Sequence, residues 1–191
     1  MRVSAVLFLV LMAGCAVREA AVPAGTAQAQ AAASMIYYPV GVGVSYVMPL
    51  GHFQDTVGFE LTYAQPLGAG SNWDVMLSLG AMRLTWSDSP ATKSDHYPIL
   101  LLARYSKYSL RGASFYGGFG VGYALNDPGD MSDSFVARVM LGTDQVLSER
   151  MMAGLEFNYT YSKADAKWGP YTTHDLSSVS LKLNLVFMLG L

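Results

Sequence analysis

Between Gly41 and Leu191 the chain repeats one pattern. Every second residue is large and apolar, and glycine, serine, threonine or a singly placed charge stands between. A period of two is the geometry of a strand with two unlike faces. "GVGVSYVM" sets Val42, Val44, Tyr46 and Met48 against Gly41, Gly43 and Ser45, and "TVGFELTYA" sets Val57, Phe59, Leu61 and Tyr63 against Thr56, Gly58, Glu60 and Thr62. The third segment opposes Trp73, Val75, Leu77 and Leu79 to Asp74, Met76, Ser78 and Gly80. The fourth aligns Tyr97, Ile99, Leu101, Ala103 and Tyr105 opposite a face carrying Arg104. The sixth and seventh place Arg138, Met140, Gly142 and Asp144, then Gly154, Glu156, Asn158 and Thr160, on the less apolar side. The last, "SVSLKLNLVFMLGL", alternates Val179, Leu181, Leu183, Leu185, Phe187, Leu189 and Leu191 with Ser180, Lys182, Asn184, Val186, Met188 and Gly190. The pattern predicts about eight strands and no helix.

The fifth segment, "SFYGGFGVGYAL", is the most lopsided, with Phe115, Phe119, Val121 and Tyr123 on one face and Gly118, Gly120 and Gly122 on the other. Glycine weakens a strand, so a row of it on one side marks a face where little room is left. The segments are joined alternately by polar, Gly/Pro/Asp/Ser-rich stretches ("PLGHFQD", "WSDSPATKSDH", "NDPGDMSDS", "SKADAKWGPYTTHD") and by shorter ones ("QPLGAGSN", "LRGA", "SERM"). The long loops therefore gather at one end of the sheet, and an even strand count puts both chain ends at the other.

Periodicity does not say which face is inside. In a soluble barrel the apolar face is the core; in a membrane barrel it meets lipid and the polar face lines the lumen. Three features favour the inverted arrangement. The chain is 52% hydrophobic with mean hydropathy +0.28, yet beyond the N-terminus it has no apolar run of the ~18 residues that a spanning helix needs. The polar face carries isolated charges of both signs, Glu60, Asp74, Arg104, Arg138, Asp144, Glu156 and Lys182, which suit a paired network in a narrow lumen shared with glycines. Trp73, Tyr97, Tyr105, Tyr123, Tyr159 and Tyr161 stand near strand ends, as in the aromatic girdles of membrane barrels. The expected fold is an all-β, eight-stranded antiparallel up-and-down transmembrane β-barrel over residues 36–191.

The first residues read as export and attachment. Arg2 and the apolar run "VSAVLFLVLMAG" form a signal peptide over residues 1–14, directly followed by Cys15, the sole cysteine. "LMAGC" resembles the lipobox of bacterial lipoproteins, and that resemblance implies cleavage before Cys15 and its lipidation. "AQA" at 27–29 offers an ordinary cleavage site after Ala29 instead. Residues 15–35 are Ala/Gln-rich and read as a flexible linker. A lone cysteine excludes an internal disulfide.

"YGGFGVGY", the alternating C-terminal strand and the short-turn, long-loop rhythm resemble the small eight-stranded outer-membrane barrels of the OmpA membrane-domain and OmpX type. The resemblance implies residence in a bacterial outer membrane as a monomer with both termini periplasmic. It also implies contact with outer-membrane lipid, lipopolysaccharide and the barrel-insertion machinery. Members commonly end in an aromatic residue that this machinery reads, whereas this chain ends in Leu191. Arg83 falls on the apolar face if the third strand keeps its register past Ala81, which stations it at the outer rim near lipid phosphates or on a strand tail above the membrane; a bulge there would instead flip the register.

The candidates for chemistry are sparse. The net charge is −2 and the basic residues are scattered, which speaks against nucleic acid. His52, His96 and His174 fall in loops at the same end, and His52 with Asp88 and Ser89 has some likeness to the layout of lipid A palmitoyltransferases. The amphipathic helix that precedes those barrels is missing here. Lipid A deacylases carry a His-x-Ser in a late strand, where this chain has Asn158 and Thr160. Asp127, Asp130 and Asp133 lack the spacing of a calcium loop and read as a solvated acidic loop. No metal or cofactor is expected. The expected role is structural or surface-interacting; a lipid-modifying enzyme and a narrow channel or small-ligand carrier are the alternatives.

Overall fold

The computed structural model of the chain describes residues 37–190, apart from 69–70, 90–91, 109–112, 127–130, 166 and 168–172. Its strands are β1 (Tyr37–Pro49), β2 (Thr56–Pro66), β3 (Trp73–Thr85), β4 (Lys93–Tyr108), β5 (Ala113–Asn126), β6 (Ser134–Ser148), β7 (Met151–Asp165), β8 (Thr173–Asp175) and β9 (Ser178–Gly190). Each neighbour in β1 to β7 pairs antiparallel with the next, β7 pairs with β9, and β9 pairs with β1, which closes the sheet. Closure leaves no free edge. β8 pairs with β7 through Lys163↔Asp175 and Asp165↔Thr173, in the same register as Thr160↔Ser178 of β7 with β9. It is the far end of the eighth stave, interrupted at Leu176 and Ser177. The fold is thus an eight-stranded antiparallel up-and-down barrel.

Side-chain alternation sorts as the sequence implies. Val42, Val44, Phe59, Leu101, Phe119, Val139, Phe157 and Leu183 are exposed on the outer wall, whereas Glu60, Arg138, Glu156 and Lys182 are inside. Leu183 at 65% and Phe59 at 62% exposure belong to an apolar surface that continues around the strands, far larger than a soluble monomer carries. Outward tyrosines and Trp73 stand towards the strand ends; Trp73 and Tyr105 pair with ring centroids 5.2 Å apart. An apolar wall bordered by aromatic rings around a charged interior is a transmembrane barrel. Tyr37 pairs with Gly190, so both barrel ends lie at the short-turn end, opposite the long loops.

Three expectations need correction. His96 and His174 are not in loops: His96 is an inward, buried residue of β4 and His174 a buried residue of β8. Strand pairing runs past the alternating segments because the inward polar residues at the stave ends still find cross-strand partners, as in His96↔Asn126. The surroundings of the β5 glycines are also less polar than expected. Gly122, Gly120 and Gly118 pair with Leu100, Leu102 and Arg104, and the first two of these β4 side chains are buried in an apolar cluster with Met76, Val136 and Met140. A side chain at Gly122 or Gly120 would collide with the β4 backbone itself. Glycine is required there because β5 lies unusually close against β4.

The signal peptide, linker, Cys15, Asp127, Asp130 and Leu191 lie outside the described residues.

Candidate functional site in the lumen and the outer loops

The seven charges expected in the lumen all point inward, and their strands bring them into two groups. In the upper group, β2 places Glu60 between Arg138 of β6 and Lys182 of β9: the guanidinium donates to Glu60 Oε2 at 2.6 Å and the ammonium to Oε1 at 2.5 Å. Lys182 also meets Glu156 at 2.5 Å, and the Arg138 Nε–H donates to Thr160 at 3.2 Å. In the lower group, Arg104 of β4 bonds its register partner Asp74 at 2.9 Å and lies 3.6 Å from Asp144. Tyr116 joins the groups. Its ring lies under the Arg104 guanidinium at 5.1 Å and its hydroxyl donates to Glu156 at 3.0 Å. Buried ions need such partners, because taking a charge out of water costs several kcal/mol unless pairing and hydrogen bonds offset it. Four carboxylates face three cations, and the surplus negative charge sits in the lower group, where two aspartates share Arg104.

Towards the long loops follows a layer of neutral polar groups. His96 Nδ1 lies 2.5 Å from Asn126 Oδ1, the Asn126 amide donates to the Ser132 carbonyl at 2.6 Å, and the hydroxyls of Ser134 and Ser162 are 3.0 Å apart.

Above this layer the described residues form an apolar cap that sequence reasoning missed. Phe53 from the β1–β2 loop, Leu84 at the end of β3, Met131 from the β5–β6 loop, Ala164 of β7 and Leu176 between β8 and β9 pack together, with Met82 and Trp86 against them. His174 stands edge-on to Trp86 at 4.4 Å between ring centroids, and Trp86 lies 4.7 Å from Phe53. Each of the four long connections, or the strand leading into it, contributes to the cap. The segments are also joined by backbone hydrogen bonds: Ser87 N–H to His52 O at 2.9 Å, Leu50 N–H to Ser177 O at 2.7 Å, and Ser132 N–H to Asp165 O at 3.0 Å. The cap was partly legible, since Leu84 and Trp86 continue the inward register of β3, but Phe53, Met131 and Leu176 are isolated apolar residues in polar stretches.

Burial among the cap rings, with His52 nearby, holds the His174 imidazole below the ordinary histidine range. An opened cap therefore binds the proton more tightly than the closed one. The contribution to cap stability is complete above about pH 6.5 and is lost as the pH falls below it. In a chain whose Trp73 and Trp168 are replaced by phenylalanine, acrylamide quenching of Trp86 is expected to rise on acidification, and His174→Phe to flatten the response. A pH-independent quenching constant in the His174 protein would contradict this.

Near the long-loop rim Arg83 points away from the barrel, 62% exposed, and grips its register partner Asp95 with both Nε at 2.7 Å and Nη2 at 3.2 Å. The register of β3 on β4 is unbroken, so no bulge turns Arg83 inward. In the groups suggested for acyl transfer, the Ser89 hydroxyl is 3.1 Å from that of Thr92, and the His52 carbonyl accepts from the Ser87 N–H at 2.9 Å. Among the described residues no cluster of three or more His, Cys, Asp or Glu has the arrangement of a metal site.

No protein-family sequence model matches the chain, and no curated protein matches it significantly in sequence. Solved structures match its fold. The outer membrane protein OprG from Pseudomonas aeruginosa aligns with TM-score 0.58 at 14% identity, over 80% of this chain and 95% of that one. Neisserial surface protein A aligns with TM-score 0.58 at 12% identity, over 80% and 96%. The outer membrane protein W of E. coli aligns with TM-score 0.53 at 20% identity, over 80% and 97%. The chain shares the small outer-membrane barrel fold with these proteins.

Proposed function

We propose that this chain is a non-catalytic barrel of a bacterial outer membrane, whose role is structural or rests on surface contacts made by its long loops. The observation that carries the reading is the double closure of the lumen: ion-paired side chains fill its middle, and an apolar cap, joined by hydrogen bonds between loops, covers its end. A barrel filled in this way argues against a wide aqueous path, and loops held to one another offer a rigid surface, which is where scaffolds of this kind put their contacts. In this reading both termini are periplasmic, the barrel is a monomer delivered by the insertion machinery, and Cys15 anchors the linker in the inner leaflet. Lipopolysaccharide surrounds the outer rim, and Arg83 meets its phosphates in exchange for part of its pairing with Asp95.

Planar-bilayer recording tests the closure. The purified barrel is expected to give no single-channel steps at neutral pH, under conditions where an open porin conducts. Discrete ohmic steps would overturn the reading in favour of a channel.

A further inference from the structure

We infer that the lumen contains a binding site for one buried water molecule on Asn158, between the ion-paired layer and the polar layer above it. A cavity of about 20 Å3 lies there, bordered by Ser45, Arg138, Asn158, Thr160, Ser180 and Lys182. One water needs roughly 10–15 Å3 and two to four polar neighbours, so the space takes one and the wall can hold it. Gly58 and Gly80, bare inward positions of β2 and β3, also border the space.

Asn158 is 1% exposed, and its side-chain oxygen has no hydrogen-bond donor among the described residues. An unmatched buried acceptor costs about 1–3 kcal/mol, so an occupant that donates to it is stabilising. The chemistry of the wall selects that occupant. It must give a hydrogen to a carbonyl oxygen, which excludes halides and other pure acceptors. Arg138, Lys182 and Glu60 border the same space, two cations to one carboxylate that is already paired with both, so the wall has no free negative charge to hold a cation. The volume admits about one heavy atom. A neutral donor of that size is water, and it can accept in return from the hydroxyl of Ser180, the register partner of Asn158. The water joins the inner faces of β7 and β9 directly above the Glu60 ion pairs and completes the hydrogen bonding of this level of the lumen.

The test is a crystal structure of the full barrel at a resolution that shows ordered solvent. The native map is expected to contain one peak within about 2.7–3.2 Å of Asn158 Oδ1. Asn158→Leu, close in size but without the acceptor, loses the peak, and Asn158→Asp, which keeps an acceptor, retains it. If the leucine variant does not fold, the native protein in micelles gives the second reading: cross-relaxation between the Asn158 amide protons and a long-lived water. Three results would overturn the inference: a native map without the peak, an amide turned so that its oxygen meets a protein donor, or anomalous signal at the site from a bromide soak.

Discussion

Replacing Glu60 with glutamine is expected to cost about 3–5 kcal/mol of barrel stability, the range for removing one partner of a buried ion pair. Among the described residues Glu60 is the single carboxylate paired with Arg138, and it shares Lys182 with Glu156. Neutralising it leaves the Arg138 guanidinium its hydrogen bond to the Thr160 hydroxyl but no carboxylate partner among the described residues. Asp144→Asn is expected to cost much less, on the order of 1 kcal/mol or below, because the lower group already has two carboxylates for one guanidinium and Asp74 holds the shorter contact. Equal losses for the two variants, measured by urea unfolding in the same detergent, would mean that the pairing pattern is not what holds the lumen together.

The second large effect is expected at the glycines of β5, and it separates the two faces of one strand. A Cβ at Gly120 would stand 2.7 Å from the Leu102 Cα, and one at Gly122 would stand 2.8 Å from the Leu100 Cα; both are backbone atoms that cannot turn away. On the outer face, a Cβ at Gly117 would meet the tip of the Leu141 side chain at 3.2 Å, which can rotate. Gly120→Val and Gly122→Val are therefore expected to lose at least the ~1–3 kcal/mol typical of overpacking, and to fold into the barrel in low yield. Gly117→Ala is expected to fold normally. The fraction of each variant recovered in its folded form measures the difference, and a Gly122→Val barrel as stable as the parent would refute the close approach of β5 to β4.

The strands and their faces were legible because a closed membrane barrel must alternate, and a period of two survives in the sequence wherever one face is lipid and the other is lumen. Gly120 was legible as a crowded position, but not as one crowded by Leu101 and Leu102, since nothing in the chain states how near two strands approach. The inward direction of Glu60, Arg138 and Lys182 followed from their place in the alternation. Their pairing did not, because it depends on a closure that brings β2, β6 and β9 around one lumen, with the partners 78 and 122 positions apart in the chain. The cap was the least visible feature. Its members come one or two at a time from separate connections, and only closure of the barrel makes neighbours of Phe53, Met131 and Leu176. His174 was misplaced for a related reason: a three-residue strand beyond an interruption has too few positions to show a period.

The central claim is that the apolar wall faces lipid and the ion pairs face inward. Gel mobility of the protein from an outer-membrane fraction, unboiled against boiled in SDS, tests it most directly, because a closed membrane barrel keeps its compact form in SDS until heated. The account predicts recovery with the membranes and a clear shift on boiling. Recovery in the soluble fraction with identical mobility before and after heating would contradict it.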